Sequence, residues 1–270
     1  MQIAWHGSAS ISIRVDGVEI LFDPHFSKKE QYGDWYEENP HAPKVADYLA
    51  QFSPGLVLIT HGHFDHFDLH TVDAINQSKQ PVFTGSTDVI WALQYYFQIP
   101  GERLLPLTPR QPTTFKGLEI RAFEGVHWIT REEGTRVSEK LRGRPERYGV
   151  MPCGGPSLGI IITGKQGRVY ISGDTLLEGI PQEEVDYAII FTGGLCSHPV
   201  TKEPTKIIVD PQDIAMTVEN NLKARAVIPV HYDFVPALEP LDVPAMVETI
   251  SRAANKPKVV IPPYHTWIEV

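Results

Sequence analysis

Four side chains able to bind a metal ion fall within six consecutive positions: His61, His63, Asp65 and His66, in the run Thr60-His61-Gly62-His63-Phe64-Asp65-His66. Imidazole nitrogen and carboxylate oxygen together suit zinc, manganese or iron. His61 and His63 stand two apart, so a turning backbone can aim both rings at one point. Asp65 and His66 can face a second point nearby, and Gly62 is read as giving the turn its steric freedom. With 11 histidines in 270 residues, isolated ones on polar loops are expected by chance, but a cluster of this density is not. It follows Leu56-Val57-Leu58-Ile59, an apolar run bounded by turn formers, which predicts a strand buried on both faces.

The same arrangement recurs downstream. His127 follows a strand-like run over Leu118–Phe123, Asp174 follows Val169-Tyr170-Ile171-Ser172-Gly173, and His231 follows Ala226-Val227-Ile228-Pro229-Val230. A lone strand-end histidine is more often a hydrogen-bonded structural residue than a ligand. Four strand ends in one chain, each bearing such a side chain, point instead to a shared metal centre.

The elements that must position these residues are legible in outline. Strands are expected at Ile3–Trp5, Ser10–Val15, Val18–Phe22, Leu56–Ile59, Pro81–Thr84, Leu118–Phe123, Leu158–Thr163, Val169–Ser172, Ala188–Phe191, Ala226–Val230, Lys258–Ile261 and Thr266–Val270. Helices are expected at Pro43–Phe52, Asp73–Ser78, Thr87–Phe97, Pro211–Asn221 and Pro244–Ala254. Strands dominate early and alternate with helices later, the pattern of an α/β or α+β sandwich with sheets in the middle. Residues 128–150, rich in Arg, Glu and Gly, have neither period and read either as a lid loop or as a solvated excursion. In the lid reading, one or two of Arg131, Arg136, Arg142, Arg144 and Arg147 would grip a phosphate or carboxylate.

The HxHxDH signature formed by His61, His63, Asp65 and His66, followed in order by His127, Asp174 and His231, resembles the metallo-β-lactamase superfamily. The opening Trp5-His6-Gly7-Ser8-Ala9-Ser10 and the strand ending in Asp23-Pro24 are similar to that family's first hairpin and early Asp-Pro. The resemblance spans nearly the whole chain. It implies one α/β domain over residues 1–270, a four-layer αββα sandwich with two divalent metal ions at its edge, zinc first and manganese or iron as alternatives. It assigns His61, His63 and His127 to one metal and Asp65, His66 and His231 to the other, with Asp174 bridging. Asp65 would also orient a metal-bridging hydroxide as the catalytic residue, and Asp23 would brace the metal loop. The Trp5–Ser10 opening, His127-Trp128 and Ser172-Gly173-Asp174-Thr175 look closest to the branch of ascorbate-6-phosphate lactonases and N-acyl phosphatidylethanolamine phospholipase D. Flavodiiron proteins carry Glu where His63 stands, which disfavours an oxidoreductase.

Further candidates are weaker. His6, His198 and Tyr232 could reach the site, the last two as proton donors. Thr192-Gly193-Gly194 could bring backbone N–H groups to an anion, although a plain turn is the commoner use of a glycine pair. Cys153-Gly154-Gly155 reads as a turn and His265 as structural. There is no GxSxG elbow, and a metal-activated water needs no protein nucleophile.

Composition narrows the function classes. Hydrophobic residues make up 42% and charged residues 21%, the profile of a soluble globular chain. No apolar run approaches a membrane span, the first residues lack a signal-peptide pattern, and there are only two cysteines, so the expected compartment is the cytoplasm. The formal charge of −9 works against a nucleic-acid partner. The expectation is a dinuclear hydrolase acting on an ester, lactone or phosphodiester of a small anionic molecule. An RNA- or DNA-processing nuclease of the same superfamily is one alternative, which a salt-sensitive gel shift would reveal. A non-catalytic metal-binding module is another, which failure to turn over a broad substrate panel would favour. Trp35-Tyr36 and Tyr95-Tyr96-Phe97 are candidate aromatics for a homo-oligomer interface, although core burial is their commoner fate.

Overall fold

The computed structural model describes residues 1–34, 36–127, 157–193, 195–197, 203–234 and 241–270. Residues 128–150, Cys153 and His198 lie outside this set, so the lid and the second proton-donor candidate do too. Two seven-stranded sheets carry the architecture. The first has the order β16-β1-β2-β3-β4-β5-β6, with β1 (Gln2–Trp5), β2 (Ile11–Val15), β3 (Val18–Phe22), β4 (Leu56–Ile59), β5 (Val82–Gly85), β6 (Leu104–Pro106) and β16 (Ile268–Glu269). The second has the order β15-β14-β11-β10-β9-β8-β7. Its strands are β7 (Pro112–Phe115), β8 (Leu118–Glu124), β9 (Leu158–Gly164), β10 (Gly167–Ile171), β11 (Tyr187–Phe191), β14 (Ala226–Val230) and β15 (Lys258–Val259). A two-stranded ribbon, β12 (Leu195–Ser197) with β13 (Pro204–Lys206), stands apart.

Both sheets are mixed. β3 to β6 run parallel in the first, and β10, β11, β14 and β15 run parallel in the second. β8 pairs antiparallel with β9, and β9 antiparallel with β10, so β8 and β10 end on the same edge.

The apolar run of β4 shows why the sheets stack. Leu56 and Leu58 point into the cluster shared with the second sheet, while Val57 and Ile59 join the cluster beneath the helices. All four are fully buried. At about 1.5–3 kcal/mol per buried aliphatic side chain, the strand is anchored on both faces. Helices α2 (Val45–Gln51), α3 (Leu69–Lys79) and α4 (Thr87–Phe97) cover the outer face of the first sheet through Tyr48, Val72, Ile75, Val89 and Leu93. On the other side, α5 (Pro211–Asn220) and α6 (Val243–Ser251) pack Ile214, Val218, Met246 and Ile250 into the larger cluster. The result is the helix–sheet–sheet–helix layering of a metallo-β-lactamase fold, as the resemblance implies. A short helical turn, α1 (Lys29–Tyr32), precedes α2.

Element boundaries follow local capping chemistry. Asp68 accepts from the Thr71 backbone N–H, so α3 starts at Leu69, four residues before the start expected from apolar spacing. Ser86 caps α4 in the same way, and Pro211 at the first position with Asp210 as cap sets the start of α5. β6 and β7 are short, half-exposed and contain proline, so neither showed the period that marks a strand. Tyr36 is fully buried, which removes it as an interface aromatic, whereas Tyr95 is 64% exposed. Among the described residues no helix is long and apolar enough to cross a membrane.

Candidate metal centre

Strand ends from both sheets meet at one edge. Asp23 ends β3, and the His61–His66 turn follows β4. His127, Asp174 and His231 follow β8, β10 and β14. The two sheets are stitched there by backbone bonds, with the Leu158 N–H donating to Thr60 O at 3.1 Å. Gly173 makes this approach possible: its φ is +58°, and a Cβ there would lie 2.6 Å from Leu158 O and 3.1 Å from the Thr60 Cβ. Asp174 is thereby carried against the turn of the opposite sheet. Gly62, expected to give the turn its steric freedom, is not among the positive-φ residues. Besides Gly173, the positive-φ residues among the strand-end side chains are Asp23 (42°) and His231 (71°), both with a Cβ and held by the surrounding structure.

The seven side chains expected from sequence converge. Three trios each place one donor atom per residue within 4.8 Å of the others: His61, His63 and His127; His61, His66 and Asp174; and Asp65, His66 and His231. His61 Nε2 lies 2.8 Å from His63 Nδ1, and His127 Nε2 lies 3.3 Å from the same atom. On the other side, His66 Nε2 stands 3.6 Å from Asp65 Oδ2 and 3.4 Å from Asp174 Oδ2, and His231 Nε2 stands 3.6 Å from Asp65 Oδ2. His127 Nε2 is 3.8 Å from Asp174 Oδ2. Separations of 3.6–3.8 Å are too long for hydrogen bonds, and 3.4 Å stands at the limit. They match two ligands sharing one ion, since donors about 2.1 Å from a tetrahedral zinc lie about 3.4 Å apart.

The outward nitrogens of three rings are engaged. His61 Nδ1 meets Thr60 Oγ1 at 3.1 Å, His66 Nδ1 donates to Asp23 Oδ2 at 2.8 Å, and His127 Nδ1 donates to the Ile207 carbonyl at 3.0 Å. Each bond fixes the ring and turns a bare Nε2 inward. Asp23 is itself held by the Thr60 N–H and Oγ1, both at 2.7 Å. Neither Thr60 nor Ile207 was legible as functional, because a threonine hydroxyl and a backbone carbonyl carry no sequence signature.

Electrostatics show what the cluster requires. Three carboxylates, Asp23, Asp65 and Asp174, are buried with the histidines. Burial pushes Asp65 and Asp174 up, but His66 and His231 outweigh it and hold both well below the usual carboxylate range. Burial lowers His66, yet Asp174, Asp65 and Asp23 together raise it well above an ordinary imidazole. The shift expresses the need of these buried carboxylates for a positive charge, which a cation held at Nε2 would supply in place of the proton. His61 and His63 go the other way, the latter down to about 3, because they are desolvated and face other rings. His66 Nε2, Asp174 Oδ1 and both nitrogens of His231 have no hydrogen-bond partner although buried. Buried donors and acceptors are seldom left so. Unmatched inward nitrogens beside concentrated carboxylate charge fit divalent cations bound by imidazole and carboxylate.

A family model, the β-lactamase superfamily domain, matches residues 2–231. The chain belongs to the metallo-β-lactamase superfamily. Within it the chain falls among the metal-dependent hydrolases. It is 30% identical over 243 residues to the UPF0173 metal-dependent hydrolase of Methanopyrus kandleri, covering 88% of this chain and 87% of that one. Two solved structures share the fold. The isothiocyanate hydrolase from Delia radicum gut bacteria has a TM-score of 0.72 at 19% identity and covers 100% of this chain and 99% of its own. Igni18, a metallo hydrolase from the archaeon Ignicoccus hospitalis, has a TM-score of 0.68 at 20% identity and covers 100% and 98%.

The remaining candidates separate. Asp23 braces His66, as above. His6 turns away: its ring nitrogens face Ser12 Oγ (3.0 Å) and His265 Nδ1 (3.3 Å), and its ring packs edge-on to Phe26, Tyr48 and Phe52. Tyr232 tilts against Trp5 at 5.0 Å, and burial pushes its hydroxyl up to about 12, a poor proton donor at neutral pH. Of the candidate anion nest at Thr192-Gly193-Gly194, Gly194 lies outside the described residues and the other two N–H groups are engaged. The Gly193 N–H donates to Val209 O and the Thr192 N–H to Val230 O, so both are spent on the backbone.

Proposed function

We propose that this hydrolase is dinuclear and cleaves an ester, lactone or phosphodiester bond of a small molecule. The observation that carries the reading is the pair of trios on either side of Asp174: His61, His63 and His127 on one side, and Asp65, His66 and His231 on the other, with Asp174 Oδ2 within 3.4 Å of His66 Nε2 and 3.8 Å of His127 Nε2. Zinc is the first candidate for both positions, given five imidazoles in the ligand set. Bound there, two dications would supply a water acidic enough to deprotonate near pH 7 and would polarise the substrate's carbonyl or phosphoryl oxygen.

The chain's own residues do the rest. Asp23 keeps a proton on His66 Nδ1 and so a lone pair on Nε2. The Ile207 carbonyl does the same for His127. Asp65, held ionised by His66 and His231, offers a carboxylate to orient the attacking water. The anionic substrate character expected from the sequence rested on arginines in the 128–150 stretch, outside the described residues. The Trp5–Ser10 opening and the residues around Asp174 support a place near the lactonase and phospholipase D-like branch. The −9 charge disfavours a nucleic-acid backbone as substrate.

The test is metal analysis of purified protein, followed by a screen of aryl esters, lactones and bis-p-nitrophenyl phosphate. An isothiocyanate belongs in the panel, because a protein of the same fold is an isothiocyanate hydrolase. Two equivalents of metal and turnover of one class are expected. Full metal loading with no turnover across the panel would reduce the site to a binding module.

A further inference from the structure

His25 follows the Asp23-Pro24 bend beyond β3 and is fully buried. Its backbone is clamped on both sides: the N–H donates to Ser10 Oγ at 2.9 Å, and the carbonyl accepts from Asn39 Nδ2 at 3.4 Å. Its ring is boxed by Tyr36 and Phe64, each edge-on with centroids at 5.5 and 5.9 Å, and by Phe234, tilted at 5.8 Å. Neither ring nitrogen has a hydrogen-bond partner. An uncharged imidazole carries one N–H donor and one lone pair, so both are unmet, a rare state for a buried group.

The location gives this state meaning. Phe64 lies between His63 and Asp65 in the ligand turn, and Phe234 lies just past His231. The charges that bear on His25 are Asp68, Asp65, His66 and His231. Asp68, the strongest of these, is already hydrogen-bonded by Ser27, Tyr32, Tyr36 and Thr71, and the ring contacts with Phe64 and Phe234 set His25 beside the Asp65–His231 side of the centre. His231 shares both properties of His25, zero exposure and two unpaired ring nitrogens, so burial does not separate His25 from the working face. Burial lowers its pKa to about 4. An uncharged ring among three aromatic neighbours suits an uncharged ligand group.

We propose that His25 is a substrate-contacting residue on the Asp65–His231 side of the centre, hydrogen-bonding an uncharged polar group beside the scissile bond while Phe64, Tyr36 and Phe234 pack against an adjoining planar or apolar substituent. This rests on the hydrolase reading above and narrows it: uncharged aryl or alkyl esters and lactones are preferred to phosphodiesters.

The experiment uses the zinc-loaded protein with phenyl acetate and bis-p-nitrophenyl phosphate as substrates. Alongside them it uses 1-phenylpropan-2-one, the ketone in which CH2 replaces the ester oxygen of phenyl acetate. Expected are faster turnover of phenyl acetate and a shift of the His25 ring 15N signals on adding the ketone. His25→Phe should raise KM for phenyl acetate and weaken ketone binding, each about tenfold, the worth of one good hydrogen bond. Metal content should be unchanged, and His25→Gln should recover part of the loss. Unaltered KM and ketone affinity in a folded His25→Phe protein would overturn the proposal. So would a loss of metal in step with activity, which marks a structural role. Should His25→Phe fail to fold, His25→Gln with the ketone titration carries the same decision. If wild type hydrolyses neither substrate, the ester and phosphodiester reading fails, while the response of His25 to the ketone still decides this one.

Discussion

The two sheets equip the metal centre in different ways. The first delivers four of the seven candidate donors from a single turn after β4, and it orients two of their rings by hydrogen bonds of its own, with Thr60 Oγ1 holding His61 and Asp23 accepting from His66. The second delivers three donors from three separate strand ends. His231 there has no hydrogen bond on either ring nitrogen. It is held by its left-handed backbone and by stacking on Phe191, with planes 3° apart at 5.7 Å. One half of the site is thus oriented within a turn, while the other exists only once the sheets have docked. Asp174 links the halves, facing His66 from one and His127 from the other.

That contrast can be broken most sharply at its joint. Asp174→Ala should leave less than two equivalents of metal and cut turnover on the order of 10³-fold or more, with far-ultraviolet circular dichroism unchanged. Undiminished activity would remove the bridging role. Asp23→Asn tests the preoriented half. It should weaken metal binding roughly 10–100-fold by loosening His66, read in a chelator competition. An equal loss from His231→Gln and Asp23→Asn would show that the two halves are not differently prepared.

A smaller effect concerns the metal-free protein and pH. Burial holds His6 and His63 near 3 and His25 near 4, all below the ordinary 6.5. Folded-state values lowered in this way mean that the unfolded chain binds more protons as pH falls. The stability that these three rings carry should therefore be complete above about pH 6.5 and decline between there and about pH 3, while His66, raised instead, works in the opposite sense. Thermal melts of apo protein across that window check this. His6→Gln, remote from the metal, should flatten the slope, and an unchanged slope would remove His6 from the account. Smallest of all, Tyr232→Phe should change kcat less than about twofold, since a hydroxyl raised to about 12 is a poor acid at neutral pH. A large drop would restore Tyr232 as a proton donor.

Much of this was legible in the chain. β4 and α4 carry strong periods and clear boundaries, and both lie at the residues expected. The His61–His66 cluster announced itself because its members are neighbours in sequence. One edge of each sheet was not legible: β6 and β7 are short, half-exposed strands whose pairing depends on partners rather than on their own period. His25 passed unnoticed, because a histidine after Asp-Pro looks the same whether its ring is satisfied or bare. Conversely, His6 and Tyr232 stand near site motifs in sequence, yet their rings turn into the packing layer around Trp5 and Tyr48.

The sequence alone determined which residues could bind metal and that they would stand at strand ends, because residue chemistry and hydrophobic period are local properties. Only the tertiary structure decided that His127, Asp174 and His231 would meet the turn after β4, and which nitrogen of each ring would face inward. Those outcomes depend on the docking of two sheets, on a left-handed Gly173 that lets their backbones touch, and on carbonyls and hydroxyls whose role comes entirely from where the fold puts them.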